Sequence, residues 1–276
     1  MALQMNVITF FNHAGGVGKS SSVRDIGFTL GRLGYRVLLI DADPQANLTD
    51  WLGVRQIQEE GGARDIDLSD TLYPAVLAEG DAELALPSPV HVHGLDLIPG
   101  HLDMATIEPL LPGQLMGVLR LRDALKPLEG RYDFVLIDPP PSLGQLSTLA
   151  VMAAGHVVVP VPASGKGLKG LQTVGVMLTR FRKVNPALRL AMILVTQYND
   201  TTNHSRESIA QLRAQFGALA PISRPLTYRP ALYPDSQLHG APLPEFVRRG
   251  PVTEEILAVT QQLLEAVGAG PEAKRE

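Results

Sequence analysis

The segment NHAGGVGKSSS, residues 12–22, places Gly15, Gly16 and Gly18 beside Lys19 and a run of serines. Glycines let successive backbone N–H groups come close to phosphate oxygens, because no side chain stands in the way. The apolar run before the segment reads as a strand and the residues after it have helical period, so the loop opens a helix. The first N–H groups of that helix complete an anion cradle. At this spacing Lys19 reaches the β and γ phosphates and the Ser20 hydroxyl binds Mg2+. Further on, Asp41, Asp43 and Asp138 stand at or just beyond the ends of two apolar runs, VLLI and FVLI. Ligands in open parallel sheets bind outside the carboxyl ends of the strands. Carboxylates repel a triphosphate there unless a divalent cation intervenes, so the cluster itself points to Mg2+. Asp41 has a second reading, as the cap of a turn before Pro44.

These residues need a frame. Aliphatic and β-branched runs alternate with longer segments of helical period, the pattern of an α/β fold with a mostly parallel twisted sheet and helices on both faces. The pattern predicts strands over 7–11, 37–40, 95–98, 134–137, 156–159 and 190–196, and helices over 20–33, 113–128, 168–184 and 204–216. Val37–Ile40 is apolar at every position, as expected for a strand buried on both faces. Residues 55–94 read as loop around one short helix near 72–78. One domain over 1–270 and a polar tail over 271–276 are expected.

Composition narrows the function classes. The chain has 276 residues, 45% of them hydrophobic, enough for one full core. It has no cysteine, which excludes disulfides, thiolate metal sites and iron–sulfur clusters. No apolar run is long enough to span a bilayer and the start carries no signal-peptide pattern, so a cytoplasmic protein is expected. The net charge of −4 hides an asymmetry: residues 1–164 carry −9 and residues 165–276 carry +5.

The loop departs from the common pattern GxxxxGK[ST], having His13 where the first glycine belongs. AGGVGKSS resembles instead the deviant form KGGxGK[ST][ST] of the ParA/MinD family of P-loop ATPases, with Ala14 in the place of the signature lysine. IDADPQANLT (40–49) resembles that family's switch I, and VLIDPPPSLG (135–144) its Walker B strand and switch II. GLDLIPGHLDMATIE, VVVPVPASGKGLKGL, VTQYNDTTNHSRESIAQLRAQFG and the HGAPL ending at Leu243 follow in family order, so the resemblance covers nearly the whole chain.

The resemblance implies an ATPase, slow without a partner, that uses ATP and Mg2+. Gly15, Gly16, Val17, Gly18, Lys19, Ser20, Ser21 and Asn199 would hold the nucleotide. Lys19 and Asp43 would carry hydrolysis, Asp43 positioning the attacking water, while Ser20, Asp43 and Asp138 would serve the metal. It also implies an ATP-dependent homodimer that binds nucleoid DNA without sequence preference through Arg213, Arg229 and Arg206. A ParB-like or other cargo adaptor would then stimulate hydrolysis. Arg224 and Lys183 could add to the basic patch. The signature lysine of the family reaches the other subunit's nucleotide, and Ala14 cannot. Lys166, glycine-flanked in SGKGLKG, is the first candidate for a substitute cation, and Lys169 the second. Loss of that lysine is similar to the branch that positions carboxysomes. Two alternatives stand beside this reading. A MinD-like membrane-associated ATPase would need a basic amphipathic C-terminal helix, and VTEEILAVTQQLLEAV has glutamates and no lysine or arginine, so no membrane partner is expected. A biosynthetic ATP-dependent enzyme of the same fold would leave the basic C-terminal part unexplained. The family's N-terminal operator-binding extension is not expected here.

Overall fold

The computed structural model describes residues 5–59, 62–63, 65–77 and 85–270. The main sheet has seven strands: β1 (Asn6–Phe10), β2 (Val37–Asp41), β3 (Val90–Val92), β4 (Leu95–Ile98), β5 (Phe134–Asp138), β6 (His156–Pro162) and β7 (Arg189–Thr196). Their order across the sheet is β3-β4-β2-β5-β1-β6-β7, and every pairing is parallel except β3 with β4. This is the α/β architecture expected from the alternation of patterns. All five residues of β2 and of β5 are buried, because helices cover both faces.

One face packs on α1 (Lys19–Arg32) and on the last long helix, Pro251–Ala266. Val23, Ile26 and Leu30 meet Ile256, Val259 and Leu263 over Leu39 and Leu136. The other face is covered by two clusters. One sets Leu146 and Leu149, from the helix Gln145–Ala153, against Ile40 and Ile137; the second sets Leu171, Val174 and Leu178, from the helix Gly165–Val184, against Val157 and Val159. The alternation along each strand decides which core a residue joins: Leu39 faces α1 and its neighbours Leu38 and Ile40 face away.

Two expectations need correction. The segment 113–128 is not one helix. It breaks into 3-10 turns at Leu111–Gly113, Gly117–Leu119 and Lys126–Leu128 around a short helix, Arg120–Leu125. Met116 is left-handed at φ 54°, which interrupts the helix, and the turn that follows needs Gly117, where a Cβ would come within 2.6 Å of the Leu111 carbonyl. The stretch LPSPVHVHG, read as loop, contains β3. His93 and Gly94 both have positive φ, 51° and 73°, which makes the tight two-residue turn that returns the chain as β4. A two-residue ladder, Gln58–Glu59 with Gly62–Ala63, also lies in the segment read as loop. The short helix is Tyr73–Leu77; Ala78 and the tail 271–276 lie outside the described residues.

Candidate functional site

β1 is the strand at which the chain's winding reverses, with β5 on one side and β6 on the other. The loop 12–18 leaves its carboxyl end, in the crevice where open α/β sheets bind ligands. Asn12 fixes the start of the loop: its Nδ2 donates to the Pro160 carbonyl at 2.7 Å and its Oδ1 accepts from the Ala14 N–H at 3.0 Å. β7 holds the other end. Thr196 Oγ1 donates to the Val17 carbonyl at 2.8 Å, and the Gln197 amide donates to the Gly16 carbonyl. With those carbonyls engaged, the loop is left to offer N–H groups. Gly16 and Gly18 adopt φ of 67° and 88°, conformations that favour glycine.

A cleft of about 370 Å³ opens over this loop. Gly16, Gly18, Lys19, Ser20, Ser21 and Asp43 line it. Lys19 is buried and its Nζ donates to the Ala14 carbonyl at 3.1 Å. Burial pushes its ammonium pKa down, and the carboxylates of Asp138 and Asp43 partly restore it. Asp43, buried two residues past the end of β2, accepts from the Gln45 N–H at 3.0 Å; desolvation raises its pKa against that bond and Lys19.

Asp138 ends β5 and is fully buried. Neither of its carboxylate oxygens accepts a hydrogen bond of full geometry. Burial pushes its pKa up to about 7, against the opposing pull of the nearby Ser20 hydroxyl and of Lys19. A buried carboxylate with so little hydrogen-bond support is costly unless a cation or its water shell completes it. Ser20, Asp43 and Asp138 therefore fit a hydrated magnesium ion, which takes few protein ligands and keeps several waters. Asp41 resolves the other way. Its Oδ2 accepts from the Thr49 N–H and hydroxyl at 2.9 and 2.7 Å, and Oδ1 from the Asp43 N–H at 3.2 Å, so it shapes the switch.

The cleft has a second wall that the loop pattern did not announce. Leu226–Pro230 and the helix Leu232–Leu238 supply Tyr228, Arg229, Tyr233 and Gln237. Arg229 Nη2 donates to Glu255 at 2.7 Å, and the other contacts of that carboxylate are with Thr227. Arg229 thus lines the cleft, whereas Arg213 and Arg206 are exposed on the helix Asn203–Phe216. The three expected DNA contacts do not form one patch with equal exposure. Asn199 is not part of the cleft lining; its Oδ1 accepts from the N–H and hydroxyl of Thr201. Gln197 stands there instead, and its place directly after the last strand was the available signal. Gly15 and Val17 belong to the loop without lining the cleft, Val17 being buried.

Lys166 is exposed on the first turn of the helix Gly165–Val184, not in a free turn. Ser164 caps this helix by accepting from the Gly167 N–H at 3.4 Å, and a Cβ at Gly167 would collide with the Pro162 carbonyl. One turn on, a Cβ at Gly170 would come 3.9 Å from the His13 ring, which brings the start of the helix near the phosphate loop.

Known proteins share this frame. The AAA domain family matches residues 5–190. The probable plasmid-partitioning protein ParA of Thermus thermophilus is 39% identical over 97% of this chain and 81% of its own. Among solved structures, ligand-free McdA of Cyanothece superposes with a TM-score of 0.79 at 23% identity, covering 94% of this chain and 99% of its own. Cobyrinic acid a,c-diamide synthase of Mycobacterium smegmatis, bound to ADP and magnesium, gives 0.71 at 29% identity, with 86% and 92% covered.

Proposed function

The chain belongs to the ParA/MinD-like family of P-loop ATPases, and from that premise we propose that it is a positioning or partition ATPase which binds ATP with magnesium in the cleft over residues 12–20. The observation that carries the reading is Asp138: a fully buried carboxylate at the end of β5 whose support among the described residues comes from the nearby Ser20 hydroxyl and the charge of Lys19. In this reading the loop N–H groups and Lys19 hold the β and γ phosphates. Ser20 and Asp138 hold magnesium with its waters, and the ion neutralises charge on the phosphates when bound. Asp43 orients the water that attacks the γ phosphorus. Phosphoryl transfer asks little covalent chemistry of a protein, so positioning and charge neutralisation are its contribution.

The ATP-bound state is a homodimer that rests on DNA through exposed cations, Arg213 and Arg206 first. A cargo-bound adaptor stimulates hydrolysis and releases it. Such contacts fall on phosphates, blind to sequence. Two copies double the basic patch, which ties DNA affinity to nucleotide state. No helix among the described residues is long and apolar enough to cross a membrane. The deciding experiment is DNA binding measured with ATP, with ADP and without nucleotide. Tight binding with ATP alone supports the reading, and binding indifferent to nucleotide overturns it.

A further inference from the structure

A second cavity, of about 510 Å³, lies outside the nucleotide cleft and within the range of small-molecule sites. Phe28, Leu33 and Leu257 give it apolar walls, and Arg32, Arg248 and Arg249 give it three guanidinium groups. Arg32 ends α1, while Arg248 and Arg249 form the corner between the short helix Leu243–Val247 and the helix Pro251–Ala266. None of the three side chains has an ion-pair or hydrogen-bond partner among the described residues. The carboxylate in the lining, Glu245, is turned to His93, with Oε2 2.6 Å from Nδ1. Thr253 adds a hydroxyl in the wall with no partner. Arg248 is held at φ 57° and ψ −42°, a positive-φ conformation unfavourable for any residue with a Cβ.

The three guanidiniums are exposed around one concave surface, so their charge is open to an anion with several oxygens. Guanidinium forks match phosphate geometry with paired N–H donors. We propose that this cavity binds a small ligand bearing adjacent phosphate groups, distinct from the nucleotide in the cleft, with its organic part against Phe28, Leu33 and Leu257. The site shares its frame with the cleft. Arg24 Nη2 donates to Ser236 Oγ at 3.1 Å, on the helix that lines the cleft, while Asp25 Oδ1 accepts from the Leu243 N–H at 2.9 Å, at the start of the helix that lines the cavity.

The test is calorimetric titration of the full chain with inorganic tripolyphosphate in magnesium-free buffer, run on the wild type and repeated on a Lys19→Ala background that disables the cleft, so that binding in the cavity is read apart from binding in the cleft. The expected result is saturable binding that the double variant Arg248→Ala/Arg249→Ala weakens by about tenfold or more, the loss of two charge-assisted contacts. A control double variant, Arg131→Ala/Arg180→Ala, removes two exposed arginines elsewhere and should bind as the wild type does. Unaltered melting temperature and ADP affinity in the Arg248/Arg249 variant show that the fold is intact. No binding by the wild type, or equal loss in the control, overturns the proposal. A short DNA duplex is the second arm: if duplex binding needs Arg248 and Arg249 and tripolyphosphate binding does not, the cavity is a nucleic-acid contact and the small-ligand site is wrong.

Discussion

The ammonium of Lys19 donates a 3.1 Å hydrogen bond to the main-chain carbonyl of Ala14, five residues earlier in the same loop. Ala14, at the position where the sequence pattern leads one to expect the family's signature lysine, therefore has a role through its backbone, by holding Lys19 over the loop. Lys19 is buried, and desolvation lowers its pKa, so its charge is destabilised until phosphate oxygens arrive. Lys19→Ala removes the fixed counter-charge and leaves only N–H groups. Nucleotide affinity, read by fluorescent ADP titration, should be lost, and unchanged affinity would remove the phosphate-loop assignment.

Asp43 tests the division of labour. It lines the cleft and its side chain makes one backbone bond, to Gln45, so its removal leaves the loop and Lys19 in place. Asp43→Ala should bind ATP like the wild type and lose turnover by on the order of 100-fold, as expected when a water-orienting group is removed. Nucleotide-bound chains should accumulate on DNA. Normal turnover in this variant would move the catalytic role to another group.

Asp138 carries a pH dependence. In the unfolded chain its carboxyl has the ordinary value of 3.8, and in the fold burial raises it to about 7, so the folded state holds the proton more tightly. Its contribution to stability is then full below the unfolded value and lost as pH rises through about 7. Asp41 is raised by burial as well and acts in the same sense. Without nucleotide, Asp138→Asn should melt higher than the wild type above pH 7, and the two curves should converge in acid. A wild type that gains on the variant as pH rises would show that the carboxylate already has donors in the fold.

The sheet, the loop and the position of the aspartates at strand ends beside it were legible because each has a local physical cause: unbroken apolar runs for β2 and β5, glycines where φ is positive, and carboxylates following those runs. The second wall of the cleft was not. Tyr233, Gln237 and Arg229 reach the site through a partner far along the chain, Glu255, and through the buried pair Arg24–Asp25, which no periodicity announces. The break at Met116 was hidden for a related reason. The helix breaks at Met116, which takes a positive φ, and Gly117 fits closely against the Leu111 carbonyl, a property of the folded backbone and not of residue types.

Arg229 and Arg213 now separate by environment. Arg229 is three-quarters buried in the cleft wall with Glu255, and Arg213 is exposed. Arg213→Glu with Arg206→Glu should abolish DNA binding and spare nucleotide affinity, and wild-type DNA affinity should fall steeply between about 50 and 200 mM salt. Arg229→Ala should instead cost about 1.5–3 kcal/mol of stability by leaving Glu255 without its cation, with a loss of nucleotide affinity. Electrophoretic mobility shifts and thermal melts read the two effects. Equal behaviour of the two variants would return Arg229 to the DNA face.

Two triphosphates facing each other across a dimer seam repel strongly unless cations lie between them. In the family that cation is the signature lysine, and Ala14 supplies none. The start of the helix Gly165–Val184 lies near the phosphate loop, a Cβ at Gly170 falling 3.9 Å from the His13 ring, with Lys166 one turn earlier and exposed. Its side chain is free of carboxylate partners among the described residues, so its charge is available to a second copy. Lys166→Ala should therefore weaken ATP-dependent dimerisation and DNA binding while leaving monomer ATP affinity largely intact, and adding Ala14→Lys should restore part of the dimer. Light scattering with a non-hydrolysable ATP analogue reads both steps. Dimerisation of Lys166→Ala at the wild-type level would reject the substitution, and a wild type that stays monomeric with the analogue would mean that this chain works without the nucleotide sandwich.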